Sequence, residues 1–315
     1  MKKNRLFQVR NITAVAVLFW VALASCQKDS DILSANDTQK VNNESVAASV
    51  TNDAGDIATS AVGGMAVSDY SGSSAGARET GFRALHLWRI DERLQCAVIT
   101  ISRTGTRLHP HGVIVINFDS LSSTCKDSHG VRRRGKIIIT YDGIRWMPGS
   151  WHNVRLVNYY RNDTHIQGNL TITTQQADTS QYLMFKSVLD SGAVTFPNGK
   201  TITREHTITR EWVRAGSPLN DEWITLTENP VDHSLSTANG TFKNGESYFM
   251  QVTKDLVVKV SCRLEGVYTP VQGEKVITFG NEQITIDYGN GSCDNTITIT
   301  IKGKEKQLSI NESGD

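Results

Sequence analysis

The sequence predicts an all-β domain, mostly antiparallel and built of hairpins, and three observations predict it. From about residue 85 onward, short runs rich in β-branched and aromatic residues recur, among them CAVITIS, GVIVINF, KIIITY, NLTITTQ, KVITFG, QITIDY and NTITITIKG. Several alternate with period two, so that Ile284, Ile286 and Tyr288 share one face and Thr285 and Asp287 the other. Asn-Gly pairs at Asn198-Gly199, Asn244-Gly245 and Asn290-Gly291 fall between such runs, and that dipeptide tolerates the positive φ angles of tight hairpin turns. Helical periodicity is scarce; only Arg83 to Leu94, RALHLWRIDERL, carries a pattern for a helix of a few turns.

The chain opens with a basic end, Lys2, Lys3, Arg5 and Arg10, followed by an apolar run from Ile12 to Ala24. That layout predicts a secretory signal peptide over residues 1 to 25, because the run is too short for a stable membrane span. The tetrad Leu23-Ala24-Ser25-Cys26 resembles the bacterial lipobox, which implies that Cys26 is acylated and becomes the mature N-terminus. Several acyl chains would anchor the protein durably, since each buried methylene contributes roughly 0.8 kcal/mol. The next residues, Gln27 to Asp31, are similar to the short acidic export signals of surface-displayed lipoproteins, and read otherwise they begin a polar linker. The expected location is the bacterial outer membrane, lipid-anchored and facing the medium.

Residues 26 to 80 are rich in Ser, Ala, Asn, Asp, Thr and Gly, a composition that predicts a flexible tether with a reach of about 40 Å. Gly72 to Gly76 matches G-x-S-x-G, but a nucleophile elbow needs a strand before it and a helix after it, and the flanking residues have neither pattern. Residues 81 to 315 form the expected β-rich domain.

Charge argues against nucleic acid as a partner. Loss of residues 1 to 25 removes four of 33 basic groups, leaving 29 against 32 acids, a formal charge of −3. The one basic run, Arg132-Arg133-Arg134 with Lys136, sits between strand-like stretches and reads as a solvated turn.

Two segments resemble each other. Cys96 leads through a strand ending at Phe118, with Asp119 beside it, to Cys125; Cys262 leads through a strand ending at Tyr288, with Asp287 beside it, to Cys293. The repeat defines units of about 95 to 141 and 256 to 310 with a central β region between them. With Cys26 acylated, four cysteines remain, and of three pairings the repeat favours Cys96 with Cys125 and Cys262 with Cys293. Each bridge would contribute roughly 3 to 4 kcal/mol in the chain-entropy description. Four reduced, buried thiols are the alternative.

The stretches GKIIITYDG, FPNGKTITREHTITREW, KVSCR and ITIDYGNGSCDN look like recurring signatures of a family of surface lipoproteins from Bacteroidota that carries no assigned activity. The similarity runs from about Cys96 to Lys304. It implies an envelope location and a β-rich fold, and no catalytic residue.

Candidate chemistry is sparse. His109 and His111 would project from one side of an extended segment, with His86 or His129 available to complete a zinc site, but proper ligand spacing is missing. Asp287, Asn290 and Asp294 could offer oxygens to calcium, although a hairpin whose Asp and Asn cap their own backbone explains them equally. No metal and no cofactor is predicted. Glu205 and Glu211 share a side of one strand but lie about 20 Å apart, too far for a glycosidase pair. On the opposite side, Arg204, His206, Arg210 and Trp212 alternate, a pattern that predicts an edge strand or a sheet wetted on both faces.

The binding candidates are aromatic. Trp146 and Trp151 flank the turn-like Met147-Pro148-Gly149-Ser150, and Tyr159 and Tyr160 end the next strand. On loops such side chains stack on sugars or anchor a protein; in a core they cap the sheet. The function expected is therefore non-catalytic binding of a glycan or protein by a membrane-anchored domain. A structural envelope component without a soluble ligand and an extracellular hydrolase are the alternatives.

Overall fold

The computed structural model describes residues 35–68, 83–84, 91–106, 108–119, 126–128, 130–177, 181–217, 220–265, 267 and 269–310. The strands are β1 (Arg83–Ala84), β2 (Val98–Gly105), β3 (Pro110–Asn117), β4 (Arg133–Asp142), β5 (Trp151–Arg161), β6 (Thr164–Gln175), β7 (Met184–Thr195), β8 (Thr201–Val213), β9 (Glu222–Thr225), β10 (Thr237–Thr241), β11 (Ser247–Lys259), β12 (Gln272–Phe279), β13 (Glu282–Asn290), β14 (Thr296–Ile301) and β15 (Lys304–Ser309). They form one antiparallel sheet in sequence order, except that the short β9 pairs with β8 and β11 beside β10. This is the all-β, mostly antiparallel class expected, here arranged as a meander. The Asn-Gly turns join β7 to β8 and β10 to β11, and Asn290-Gly291 closes β13, with positive φ at all three glycines.

The alternation of strand residues sorts one face inward. Ile284, Ile286 and Tyr288 are buried while Thr285 and Asp287 are not, and Ile297, Ile299 and Ile301 continue that face on β14. The sheet also bends. Register shifts occur at Arg134/Lys136 on β4, Arg155/Tyr159 on β5, Gln167/Asn169 on β6 and Leu189/Gly192 on β7. These bulges lie side by side across neighbouring strands and so form a crease, supported by Gly135 at φ 84° and Gly168 at φ 143°. A second set of shifts bends β11 against β12 and β12 against β13.

The curled sheet surrounds a helix. Helix α1 (Ala35–Ser68) is 34 residues long, and Asn43, Glu44, Ser45, Val46 and Ala47 are buried in succession, which requires walls on every side of the helix. Ser45 and Val50 share one small cavity with Arg161 from the end of β5, Thr269 before β12 and Ile310 after β15, so distant parts of the sheet meet at the helix. One continuous core joins α1 to both halves. The expected flexible tether is thereby corrected over Ala35–Ser68. Composition misleads because the helix buries mostly alanine, small polar residues and charge, for which the sheet supplies partners.

Those partners lie on inward positions. Glu44 sits between Arg204 of β8 and Lys275 of β12, the latter at 2.5 Å, and all three side chains are almost fully buried. Asp53 meets Arg93 at 2.7 Å, Arg133 at 3.0 Å and Arg161 at 3.7 Å, with Asp91 and Asp127 completing the charge balance. Asp56 pairs with Arg210, Thr59 with His152 at 3.1 Å, and Lys40 with Glu246 while lying 3.8 Å over the Phe279 ring. Burial alone would raise the Glu44 and Asp53 carboxyls, but the neighbouring cations outweigh it and hold both below their ordinary values.

Three further readings are corrected. β8 is neither an edge nor wetted on both sides, since it pairs with β7, β10 and β9 and turns Arg204 and His206 into the core. The basic run opens β4 instead of forming a solvated turn; Arg133 is buried on Asp53 and Asp127, while Arg132 pairs with exposed Asp163. Arg83 to Leu94 is not one helix, because Arg83–Ala84 pairs with β2 and Glu92–Leu94 is a single 3-10 turn capped by Asp91.

The Cys262–Cys293 bridge is formed. Cys262 lies in the short helix α2 (Val260–Leu264) and precedes the hairpin β12–β13, as Cys96 precedes the hairpin β2–β3. Phe118 and Tyr288, the aromatics that close the two hairpins, are both buried. Cys96 is disulfide-bonded, and its expected partner Cys125 lies outside the described residues, as does Cys26.

Candidate aromatic and arginine site

The inward face of β8 ends in Arg210 and Trp212, and hairpin pairing sets Trp212 opposite Trp223 of β9. The two indoles are nearly parallel, with an interplanar angle of 5° and centroids 5.5 Å apart. Trp146, carried on the loop between β4 and β5, stacks on Trp212 at 5.1 Å. Phe185 of β7 tilts against Trp223 at 5.6 Å. The three tryptophans are half-buried and pack on the core from its rim. Asp221, itself buried, accepts from Trp212 Nε1 at 3.0 Å and from the Ala215 amide, which fixes the loop joining β8 to β9.

Arginine completes the cluster. The Arg145 guanidinium lies 4.1 Å from the Trp146 centroid, 5.4 Å from Phe185 and 5.9 Å from Trp212, and Arg214 lies 5.3 Å from Trp212. Such cation–π contacts contribute about 0.5 to 2 kcal/mol each. The carrying loop is pinned: Thr174 Oγ1 donates to the Arg145 carbonyl at 2.6 Å, Gly149 N donates to the Thr174 carbonyl, and Met147 N to the Ile144 carbonyl. Helix α1 closes the other side, where a methyl group on Gly63 would meet Arg145 Nη1 at 2.5 Å.

Arg145 differs from every inward arginine named above. Among the described residues no hydrogen bond or ion pair reaches its guanidinium; its Nε is sealed from solvent without a hydrogen-bond partner, as are those of Arg133, Arg161 and Arg204. Asp56, the nearest acid acting on it, is already paired with Arg210. Burial pulls Arg145 down to about 9, against the weaker pull of Asp56, so the group remains a cation at neutral pH.

The expected binding residues disperse. Trp146 belongs to the cluster. Trp151 is 37% exposed and lies on the outer face, one residue before the inward His152. Tyr159 is corrected: it is fully buried beside Arg133 and Asp53, burial pushes its hydroxyl up to about 12, and it has no surface to offer a ligand. Tyr160 stacks on His165 at 4.5 Å beneath Arg134. Sequence reasoning missed Arg145, Trp223 and Phe185 as a group. The available signal was the spacing of Trp212 and Trp223 about a Gly-Ser-Pro-Leu-Asn turn, which predicts that they face each other across a hairpin.

Elsewhere, His109 and His111 are exposed at the β2–β3 turn, and His86 and His129 lie outside the described residues. Among the described residues no three His, Cys, Asp or Glu side chains come together as metal ligands. Asp287, Asn290 and Asp294 accept from Gly289 N, Ser292 Oγ and Thr296 N, which is local turn capping. His206 contacts Ser187 at 3.1 Å deep in the sheet, its protonation suppressed by burial and by Arg204 and Arg210. No family model, no curated protein and no solved structure matches the chain.

Proposed function

We propose that this is a non-catalytic recognition protein of the bacterial outer membrane, anchored through acylated Cys26 and facing the medium, which binds a glycan or protein at the tryptophan and arginine cluster. The observation that carries this reading is the cluster itself: three half-buried indoles, one on a pinned loop and two on paired strands, with two guanidinium groups beside them. Aromatic and arginine side chains supply large contact area at low entropic cost. The faces of Trp212 are taken by Trp146 and Trp223, so a ligand would meet indole edges and the guanidinium rim. A structural envelope role is favoured by the same mutual stacking, which caps the core without any ligand.

The discriminating experiment presents the full chain, purified in detergent, to a panel of polysaccharides and host glycoproteins, with Trp146→Ala and Trp223→Ala variants alongside. Binding weakened at least tenfold in variants that keep their circular dichroism supports recognition; a folded parent that binds nothing sinks it and leaves the structural role. Radiolabelled palmitate should enter the parent and not Cys26→Ala, and equal labelling would remove the anchor from the proposal.

A further inference from the structure

We propose that Arg145 is the receptor for an acidic group, a carboxylate or sulfate on the glycan, a reading that rests on the glycan arm of the function proposed above. Each inward-facing arginine of the roll has its carboxylate: Arg93, Arg133 and Arg161 share Asp53, Arg204 has Glu44, and Arg210 has Asp56. Among the described residues none pairs with Arg145, although its Nε is sealed and its side chain is packed between α1 and the aromatic cluster. A half-buried cation without an ion pair of its own contributes little to stability, so an arginine kept in this condition is understandable if an anion from outside completes it. Nε is sealed and Nη1 lies against α1 near Gly63, so an oxyanion would meet the part of the half-buried guanidinium that stays exposed, in a charge-assisted hydrogen bond. Arg214, over the next indole, adds a second positive charge at the same rim. Flat sugar rings bearing an acid offer both an anion for Arg145 and C–H faces for the edges of Trp146 and Trp223.

Two measurements on the full chain test this. Polygalacturonate and its methyl ester share every sugar and differ only in charge, so the acid form should bind at least tenfold more tightly than the ester, and Arg145→Gln should erase that difference. Separately, sodium sulfate at constant ionic strength should raise the melting temperature of the parent and not of Arg145→Gln, with Arg145→Lys intermediate because it keeps the charge and loses the planar guanidinium that stacks on Trp146. Equal binding of acid and ester would overturn the acidic-ligand assignment while leaving glycan recognition standing. Sulfate protection confined to the parent, with no polysaccharide bound, would keep the anion receptor and overturn the glycan reading. Sulfate protection of parent and Arg145→Gln alike would overturn the receptor. Because the variant removes a half-buried charge that has no ion pair of its own, it should fold, with a melting temperature equal to or above that of the parent; a collapsed variant would show that Arg145 is structural, and the proposal would fail.

Discussion

At the residue scale the roll is governed by a few buried charges. Replacing Glu44 with Gln would leave Arg204 and Lys275 facing each other without an anion, and loss of about 3 to 5 kcal/mol is expected in urea unfolding. The contrast with Arg145→Gln is the sharper statement, since the two substitutions should shift stability in opposite directions or one of them not at all. Protons follow the same logic. His152 is held down to about 3, first by burial and then by Arg145, whereas an unfolded histidine titrates near 6.5. Between those values the unfolded chain binds the extra proton, so stability is present above about pH 6.5 and falls as the pH drops. The slope from this one residue is about 1.4 kcal/mol per pH unit. Glu44 and Asp53, both held below their ordinary values, add to the loss at still lower pH. Urea titrations from pH 7 to 4 should show a shallower decline for His152→Gln than for the parent, and identical slopes would mean that His152 is not the neutral buried group described.

At the scale of elements, the helix is a wall of the core and not an appendage. Deleting it would expose inward isoleucines of the core that it shares with the sheet, would strand Arg204 and Lys275 without Glu44, and would leave Arg133 with Asp127 alone. A chain starting at residue 80 is therefore expected to lack a cooperative melt and near-ultraviolet dichroism and to bind a hydrophobic dye. A peptide spanning 35–68 added in trans should restore them at least in part; a cooperative melt of the truncated chain alone would contradict the role given to α1. The strands were legible because each needs only a two-residue period and a turn signal, and Ile284, Ile286 and Tyr288 with the Asn-Gly pairs supply both. The helix was not legible because an element enclosed on all sides shows no apolar stripe. Glu44 and Asp53 read as linker residues until Arg204, Lys275, Arg133 and Arg161 are seen around them.

At the scale of the molecule, the buried helix alters how the proposed anchor would act. Only residues 27 to 34 separate Cys26 from the start of α1, and eight residues span at most about 28 Å. A lipidated protein would then hold its roll close to the bilayer instead of sampling the longer reach that a fifty-residue tether allows. A dye at Asn36 should transfer energy efficiently to headgroup-labelled vesicles carrying the acylated protein; absence of transfer from a membrane-bound protein would place the slack elsewhere.

The sequence by itself determined the all-β, hairpin-built class, the shared face of Ile284, Ile286 and Tyr288 and the favoured Cys262–Cys293 bridge, because these depend on local periodicity, turn chemistry and a short internal repeat. Tertiary structure alone decided that the sheet creases and rolls, that a polar segment fills it as a helix, and that Arg145 stands in an aromatic cluster without an ion pair of its own among the described residues. Those features depend on pairs far apart in the chain, Glu44 with Lys275 or Trp146 with Trp223, and no local pattern records which distant charge or ring a side chain will meet.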